Sequence, residues 1–540
     1  MKSHRTAFLG IALGLLALLP LEAQRDATPP AASAPAPATD TNLLTPGAVA
    51  QATAVTDTNA APVVPATAAP APAPALEFSA APPKSPAVTP TGWLAIGQLL
   101  VLGGVAGLVA WYCGLTRARH CGHTCTVFVA GTVFALLGFW FGGFAMTSGG
   151  IGDTHAALAA RPDPAAANDL NHELGLPMGG RFWGVMGSAG FFLASDDESR
   201  SAMAALFLGQ AVLLALAVTA ALGGALERVR ILAVAVISFL MGTVIFPLVA
   251  NWTWGGGWLA ELGREAGLGH GVVDLGGAGV IHLTAGMMAL VLAVELGPRY
   301  GRFGRHPAPI PGHNLPLAIL GSLVLLLAIA ALNATVSTAP AGSDSPAGLA
   351  AANTLLGAAG GLASSFVFVL YRTKRLDPGA LCRGLLGGAV AVSAGAALEE
   401  PWAAVLTGII AGLLVQATMG LLDRRQIDDP VGAVAVHGAG GAWGLFALGL
   451  FANGATGGAV NGVDGPVRGL FTAHDGRQLL AQIIGVVVIA GVVYVLGFLA
   501  VVLTHKIVGI RVELADETGG LDQPKLGVLG YQADAETETE

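Results

Sequence analysis

Charge is scarce in this sequence: 11% of its 540 residues are Asp, Glu, Lys or Arg, whereas 54% are hydrophobic. A soluble domain of that composition would lack the polar surface to cover its core, so lipid is the expected solvent and a soluble enzyme is excluded. Basic residues are thin as well. The 26 Lys and Arg fall in short clusters between apolar runs and the net charge is −8, which leaves no basic patch for nucleic acid. Cysteine is nearly absent, with four residues. Cys113 and Cys382 fall within apolar runs and offer no disulfide framework. The stretch Arg119-His120-Cys121-Gly-His123-Thr-Cys125 has metal-ligating residue types, but its spacing matches no closed zinc pattern. It reads as a packed loop with reduced thiols, and neither a metal nor a cofactor is expected.

Glycine, by contrast, occurs 77 times, and small residues let helix backbones approach closely in a bilayer. Lys2 and Arg5 precede an apolar run from Ala7 to Leu19, so residues 1–23 read as a signal peptide. Residues 24–90 are mostly Ala, Pro, Thr and Ser without apolar periodicity; they are expected to form a disordered extracytoplasmic tail or a semi-rigid tether. A membrane domain over 91–505 and a cytoplasmic tail over 506–540 complete the division. A crossing needs roughly 20 mostly apolar residues. Eleven segments qualify, starting near Gly92, Thr124, Ser201, Val229, Leu275, Leu315, Gly348, Leu381, Trp402, Val431 and Leu479. Short breaks from Arg372 to Pro378 and at Glu399-Glu400-Pro401 separate the seventh, eighth and ninth. The predicted fold is an all-α membrane protein of eleven helices.

Positive residues stay preferentially on the cytoplasmic side. With the N-terminus outside, every inner connection is basic: Arg117 and Arg119, Arg228 and Arg230, Arg299, Arg302 and Arg305, Arg372, Lys374 and Arg375, then Arg424 and Arg425. The outer connections hold only Arg161, Arg181, Arg200, Arg264, Arg468 and Arg477 despite two long loops. The expected location is the inner (plasma) membrane, with the N-terminus outside and the C-terminus in the cytoplasm.

One pattern occurs twice. Asp274-Leu-Gly-Gly-Ala-Gly-Val-Ile-His282 opens the fifth span, and Asp429-Pro-Val-Gly-Ala-Val-Ala-Val-His437 opens the tenth. Asp favours a helix start, where its carboxylate satisfies free N–H groups and opposes the positive dipole end, and Pro430 suits a first helical position. Eight helical residues would place each His roughly 12 Å below its Asp. The two spans enter from opposite sides, so the rings could meet near the middle of a core roughly 30 Å thick. Five spans followed by five of opposite polarity form an inverted repeat, with the eleventh outside it, and such repeats place transport sites at their interface. The plainer alternative is that each His bonds a neighbouring helix. Trp254, in Trp252-Thr-Trp254-Gly-Gly-Gly at the outer end of the fourth span, is either an interfacial anchor or an aromatic face for a cation.

At these residues the chain resembles the ammonium transporter (Amt/Rh) family, from about Gly92 to Tyr531. The likeness is carried by Gly224-Ala-Leu-Glu227-Arg228, Trp254-Gly-Gly-Gly, the two Asp-to-His segments, His313-Asn314-Leu315-Pro316, Asn333, Asp428-Asp429-Pro430, His437-Gly438 and Gly520-Leu521-Asp522. The resemblance implies a homotrimer of eleven-span subunits, each with a narrow pore for ammonium or ammonia containing the twin histidines His282 and His437. It also implies an outer recruitment site at Trp254, ordered from beneath by Asp274. Gln210 matches the family's glutamine, and Asp429 is the structural counterpart of Asp274.

Several positions depart from the family pattern. The Phe usually just before Gln210 is Gly209, and the two gating Phe are Leu213 and Leu332, the latter beside Asn333. The recruitment-site Ser is Val336, with Ser337 next to it, and the Asp usual three residues after Asp429 is Gly432. In the tail, Leu526-Gly527-Val528 replaces His-Gly-Glu, which bears on coupling to the nitrogen-regulatory lid protein. Two alternatives therefore stand beside transport: a nonconducting ammonium-binding sensor and a channel for ammonia or carbon dioxide gas. The short tail counts against the first, and Trp254 against the second.

Overall fold

A computed structural model describes residues 90–151, 169–337, 346–457 and 460–531 of the chain. The expected signal peptide, and the Ala/Pro-rich tail up to residue 89, lie outside the described residues. Among the described residues, ten helices are long and apolar enough to cross a membrane. They are α1 (Ile96–Leu115), α2 (Ala118–Ser148), α3 (Arg200–Ala225), α4 (Ile231–Ala266), α5 (Ala278–Leu296), α6 (Leu315–Val336), α7 (Ala347–Thr373), α9 (Pro401–Arg424), α10 (Val434–Phe451) and α11 (Arg477–Val508). A shorter apolar helix, α8 (Pro378–Val392), packs against α7 and α9. Large apolar side chains such as Leu99, Val129, Leu327 and Val367 stay exposed on the bundle, as lipid-facing residues would.

Helix α8 stands where the eighth crossing is expected, and its shortness has a tertiary cause. Its start is local: Asp377 accepts the Gly379 N–H at 2.9 Å ahead of Pro378 in the first turn. Its end is not. The carbonyls of Ser393 and Ala394 accept the N–H groups of Gly276 (2.8 Å) and Leu275 (2.9 Å) from the segment before α5, so the strand of chain after α8 serves another element. The fifteen residues of α8 rise about 22 Å. Close packing around it rests on glycine. A side chain at Gly388 or Gly408 would run into the Gly357 carbonyl, and one at Gly384 or Gly412 into that of Gly361.

The bundle has two distinct faces. On one, β1 (Glu173–Met178) and β2 (Arg181–Gly187) form an antiparallel hairpin turned by Gly179 and Gly180, both left-handed at φ 66° and 75°. Trp252 of α4 donates its indole N–H to the Val185 carbonyl at 2.8 Å and so holds the hairpin down. On the other face, the segment after α11 adds the short helices α12 (Leu514–Gly519) and α13 (Asp522–Leu526) and docks onto the loops there. Arg230 donates its backbone N–H to Ile510, Val512 donates to Arg228, and Arg511 reaches the Leu296 carbonyl at 2.6 Å.

Beneath this tail a buried ionic cluster ties four loops together. Glu227, left-handed at φ 64°, binds Arg117 through its backbone N–H (2.7 Å) and guanidinium (2.8 Å), and meets Arg299 at 3.3 Å. Arg299 grips Asp428 with two side-chain nitrogens at 2.8 and 3.0 Å, while Arg228 donates to the carbonyls of Gly224 and Asp428. Burial by itself would raise the Asp428 carboxyl, but the charges and hydrogen bonds of Arg299 outweigh it and hold the group at about 2.

Removing one partner of a buried pair strands the other, at about 3–5 kcal/mol. Asp428→Asn is therefore expected to lower the thermal unfolding midpoint of the detergent-solubilised protein well below that of the exposed control Asp475→Asn. In the wild type, the Asp428 contribution is fully present above the unfolded carboxyl value of about 3.9. It is lost as pH falls through about 2. Midpoints for the three proteins between pH 7 and about pH 2 check this; equal effects of the two substitutions contradict it.

A buried histidine pair as the candidate functional site

Each histidine is carried on a π turn at the start of its helix, over Ala278–Leu283 in α5 and Val434–Ala439 in α10. Such turns recur at functional sites because they break the regular backbone ladder. The carboxylate of Asp274 accepts the N–H groups of Gly279 and Val280, both at 2.9 Å. Asp429 does the same for Ala433 and Val434 at 2.9 Å and for Ala435 at 3.3 Å. Both Asp therefore serve the helix starts, but from outside them. A left-handed glycine three residues on, Gly277 at φ 83° and Gly432 at φ 84°, turns the chain between Asp and helix. Only the part of each eight-residue interval after the glycine is helical, so the helical rise expected from the sequence does not hold, and Pro430 lies in the turn ahead of the helix rather than in its first position.

His282 and His437 are both fully buried and meet, Nδ1 to Nδ1, at 3.1 Å. The rings are nearly parallel, 14° apart in plane with centroids 5.1 Å apart. Close approach of α5 and α10 makes this possible: a Cβ on Gly286, one turn beyond His282, would overlap the Gly438 backbone. Among the described residues, neither Nε2 has a hydrogen-bond partner. In an Nδ1···Nδ1 bond between neutral rings, one donates and the other accepts. One Nε2 is then an acceptor and the other carries a proton.

Trp254 is linked directly to this architecture. Its indole N–H donates to the Asp274 carbonyl at 2.6 Å, so a single residue caps α5 with its side chain and fixes the tryptophan with its backbone. Asn333 is buried and donates to Thr354 Oγ1 (2.9 Å) and Ser393 Oγ (3.2 Å). Its Oδ1 faces Gly276, where a side chain would collide with it. Val336 and Ser337 end α6, Val336 half-buried and Ser337 buried. Gln210 exchanges hydrogen bonds with Ser148 at 2.8–2.9 Å. Leu213 is half-buried and Leu332 buried. Phe207, the nearest aromatic to Leu213 along α3, packs between Phe139 and Phe144 at 5.4 and 5.7 Å.

The sequence did not point to Gln98, whose amide nitrogen lies 2.6 Å from where a Cβ on Gly209 would stand. Thr354 and Ser393 were likewise hidden, because hydroxyl residues in apolar helices carry no periodic signal and are identified only by the Asn333 they serve.

Residues 92–531 match the family described as the Ammonium Transporter Family. The chain is 35% identical over 370 residues to ammonium transporter Amt2 of Archaeoglobus fulgidus, covering 68% of this chain and 78% of that protein. It is 33% identical over 332 residues to ammonium transporter 1 member 2 of Oryza sativa, covering 57% and 65%. Among solved structures it is similar to one described as a sensor Amt protein, with a TM-score of 0.66 at 24% identity over 81% of this chain and 98% of that one. Candida albicans Mep2 gives a TM-score of 0.61 at 22% identity over 78% and 86%. These two structures bear on the fold alone.

Overpacking a tight contact costs about 1–3 kcal/mol. Gly286→Ala is accordingly expected to lower the unfolding midpoint, whereas Gly103→Ala, with nothing within 4 Å of the added carbon, leaves it unchanged or raises it. Scanning fluorimetry of both variants tests this, and a Gly286→Ala protein as stable as Gly103→Ala removes the α5–α10 contact as a constraint.

Proposed function

The chain belongs to the ammonium transporter family and transports ammonium across a membrane, and we propose that the route is a narrow apolar passage with the His282–His437 pair at its midpoint. The observation that carries this is the pair itself, two buried rings joined through Nδ1 with both Nε2 atoms unpartnered. Ammonia can donate to one and accept from the other. A potassium ion can do neither, and its water shell would be stripped without return.

Trp254 and Asp274 form the entrance in this proposal. The π face of Trp254 attracts the cation before it sheds water and a proton, and Asp274 holds that ring. Asn333, Val336 and Ser337 border the entrance, with Val336 supplying no hydroxyl where Ser337 has one. Leu332, Leu213 and Gly209 line the way inward with aliphatic bulk or none, while Gln210 and Asp429 are structural. We count α8 as a crossing, giving eleven, with α1–α5 and α6–α10 as inverted repeats and α11 outside them. The equal spacing of Asp274, Gly277 and His282 and of Asp429, Gly432 and His437 supports the duplication. The arginine-rich loops support placing the tail face in the cytoplasm. A homotrimer in the plasma membrane completes the proposal. A nonconducting sensor is disfavoured because the matched relatives are named transporters.

Replacing His282 or His437 by Ala is expected to change ammonium flux, or its ratio to potassium flux, in a protein that still folds. The missing rings make a second expectation. Leu supplies bulk without the quadrupole of an aromatic face, so Leu332→Phe, alone or with Leu213→Phe, should sharpen ammonium over potassium while lowering maximal flux. Paired ammonium and potassium currents in proteoliposomes measure both. Wild-type behaviour of the two His variants would sink the midpoint assignment, and a wild type already fully selective would remove any role for the absent rings.

A further inference from the structure

Three of the four cysteines, all free, come together at the turn between α1 and α2. Cys113 lies in the last turn of α1, and Cys121 and Cys125 sit four residues apart on one face at the start of α2. Their three sulfur atoms lie within 4.8 Å of one another, with Cys125 and Cys113 Sγ at 3.9 Å. Around a metal with bonds of about 2.3 Å, three thiolates stand about 3.8 Å apart in a tetrahedral site and about 4.0 Å in a trigonal one. The spacing present is therefore already close to that of a ligand set. Cys121 and Cys125 alone matched no closed pattern; the third member comes from another helix and is delivered by the turn, where Thr116 donates to the Cys113 carbonyl at 3.1 Å and His120 to that of Arg117 at 3.0 Å.

The surroundings are built as well. Asp522 of the docked tail accepts the N–H groups of Gly122 (3.0 Å), His123 (2.8 Å) and Gly530 (3.1 Å), and Leu521 donates to the Arg119 carbonyl. The hydroxyl of Tyr531, at the end of the docked segment, is held by His313 Nε2 at 2.9 Å. His313 is itself anchored on the Thr116 carbonyl. The cluster thus has an outer layer that fixes the turn carrying Cys121 and Cys125, and a half-buried member, Cys125, through which an ion can enter.

We propose that Cys113, Cys121 and Cys125 form a three-thiolate site for a soft d10 cation, zinc or copper(I), beneath the docked tail. Sulfur-only coordination selects these ions over magnesium or calcium, which need oxygen. Loading a divalent ion releases three thiol protons to solvent and forms three metal–sulfur bonds, leaving one net negative charge and no change of oxidation state.

Cadmium is a suitable probe because its thiolate bonds absorb in the ultraviolet. Titrating the reduced, full-length protein in detergent should give one saturable charge-transfer band per chain. Cys113→Ser and Cys125→Ser should each weaken it at least about tenfold, and Cys382→Ser should leave it intact. A second measurement needs no variant: bound cadmium should slow alkylation of Cys125 in the wild type. No saturable band, a band undiminished in Cys113→Ser and Cys125→Ser, or an alkylation rate unaffected by cadmium would each overturn the site.

Discussion

The contact between α5 and α10 at Gly286 and Gly438 is the constraint on which the site depends. With no Cβ on Gly286 in the way, two helix backbones come close enough for His282, one turn earlier, and His437, next to Gly438, to bond through Nδ1. That bond determines what each ring has left to offer, one free acceptor and one free donor. The same principle holds α7, α8 and α9 together through Gly357, Gly361, Gly388 and Gly408. In lipid, burial from water does not draw helices together, so closeness of approach carries the packing energy.

Backbone outside regular helices is paired within the protein, as an apolar solvent requires. The irregular stretch between α4 and α5 is matched by side chains: Gln478 serves His270 and Gly271, Gln482 both donates to and accepts from Val273, and Asn461 donates to the carbonyls of His270 and Val272. Asp274 and Asp429 satisfy the helix starts that follow. Because Asp274 also holds Trp254 through its carbonyl, the tryptophan ring and the histidine pair share one support. The placing of Trp254 and of the two rings therefore follows from backbone pairing that the membrane would demand in any case.

Charge is gathered away from this apolar middle. Glu227, Arg228, Arg299 and Asp428 neutralise one another under the tail, and the tail in turn reaches the α1–α2 turn through Asp522 and Tyr531. The loops below α3, α5 and α9 and the three cysteines are consequently connected to one docked segment, so an ion bound there would act on the face where the helices are tied rather than on the pore.

Composition and apolar run length sufficed, before any coordinates, to establish a multi-span membrane protein, because 11% charge cannot cover a water-soluble core. The paired Asp and His at equal spacing marked the two helices that meet, and Pro378 and Pro401 marked helix starts, since capping and proline chemistry act over a few residues. Tertiary structure decided the rest. Whether His282 and His437 touch depends on Gly286, where a Cβ would overlap the Gly438 backbone and which is an ordinary glycine until two helices cross. The length of α8 depends on carbonyls lent to Leu275 and Gly276, more than a hundred residues earlier in the chain. The left-handed turns at Gly277 and Gly432 interrupt intervals that the sequence reads as continuous helix. Cys113 joins Cys121 and Cys125 only because one turn folds back and the tail closes over it, a juxtaposition that local spacing cannot encode.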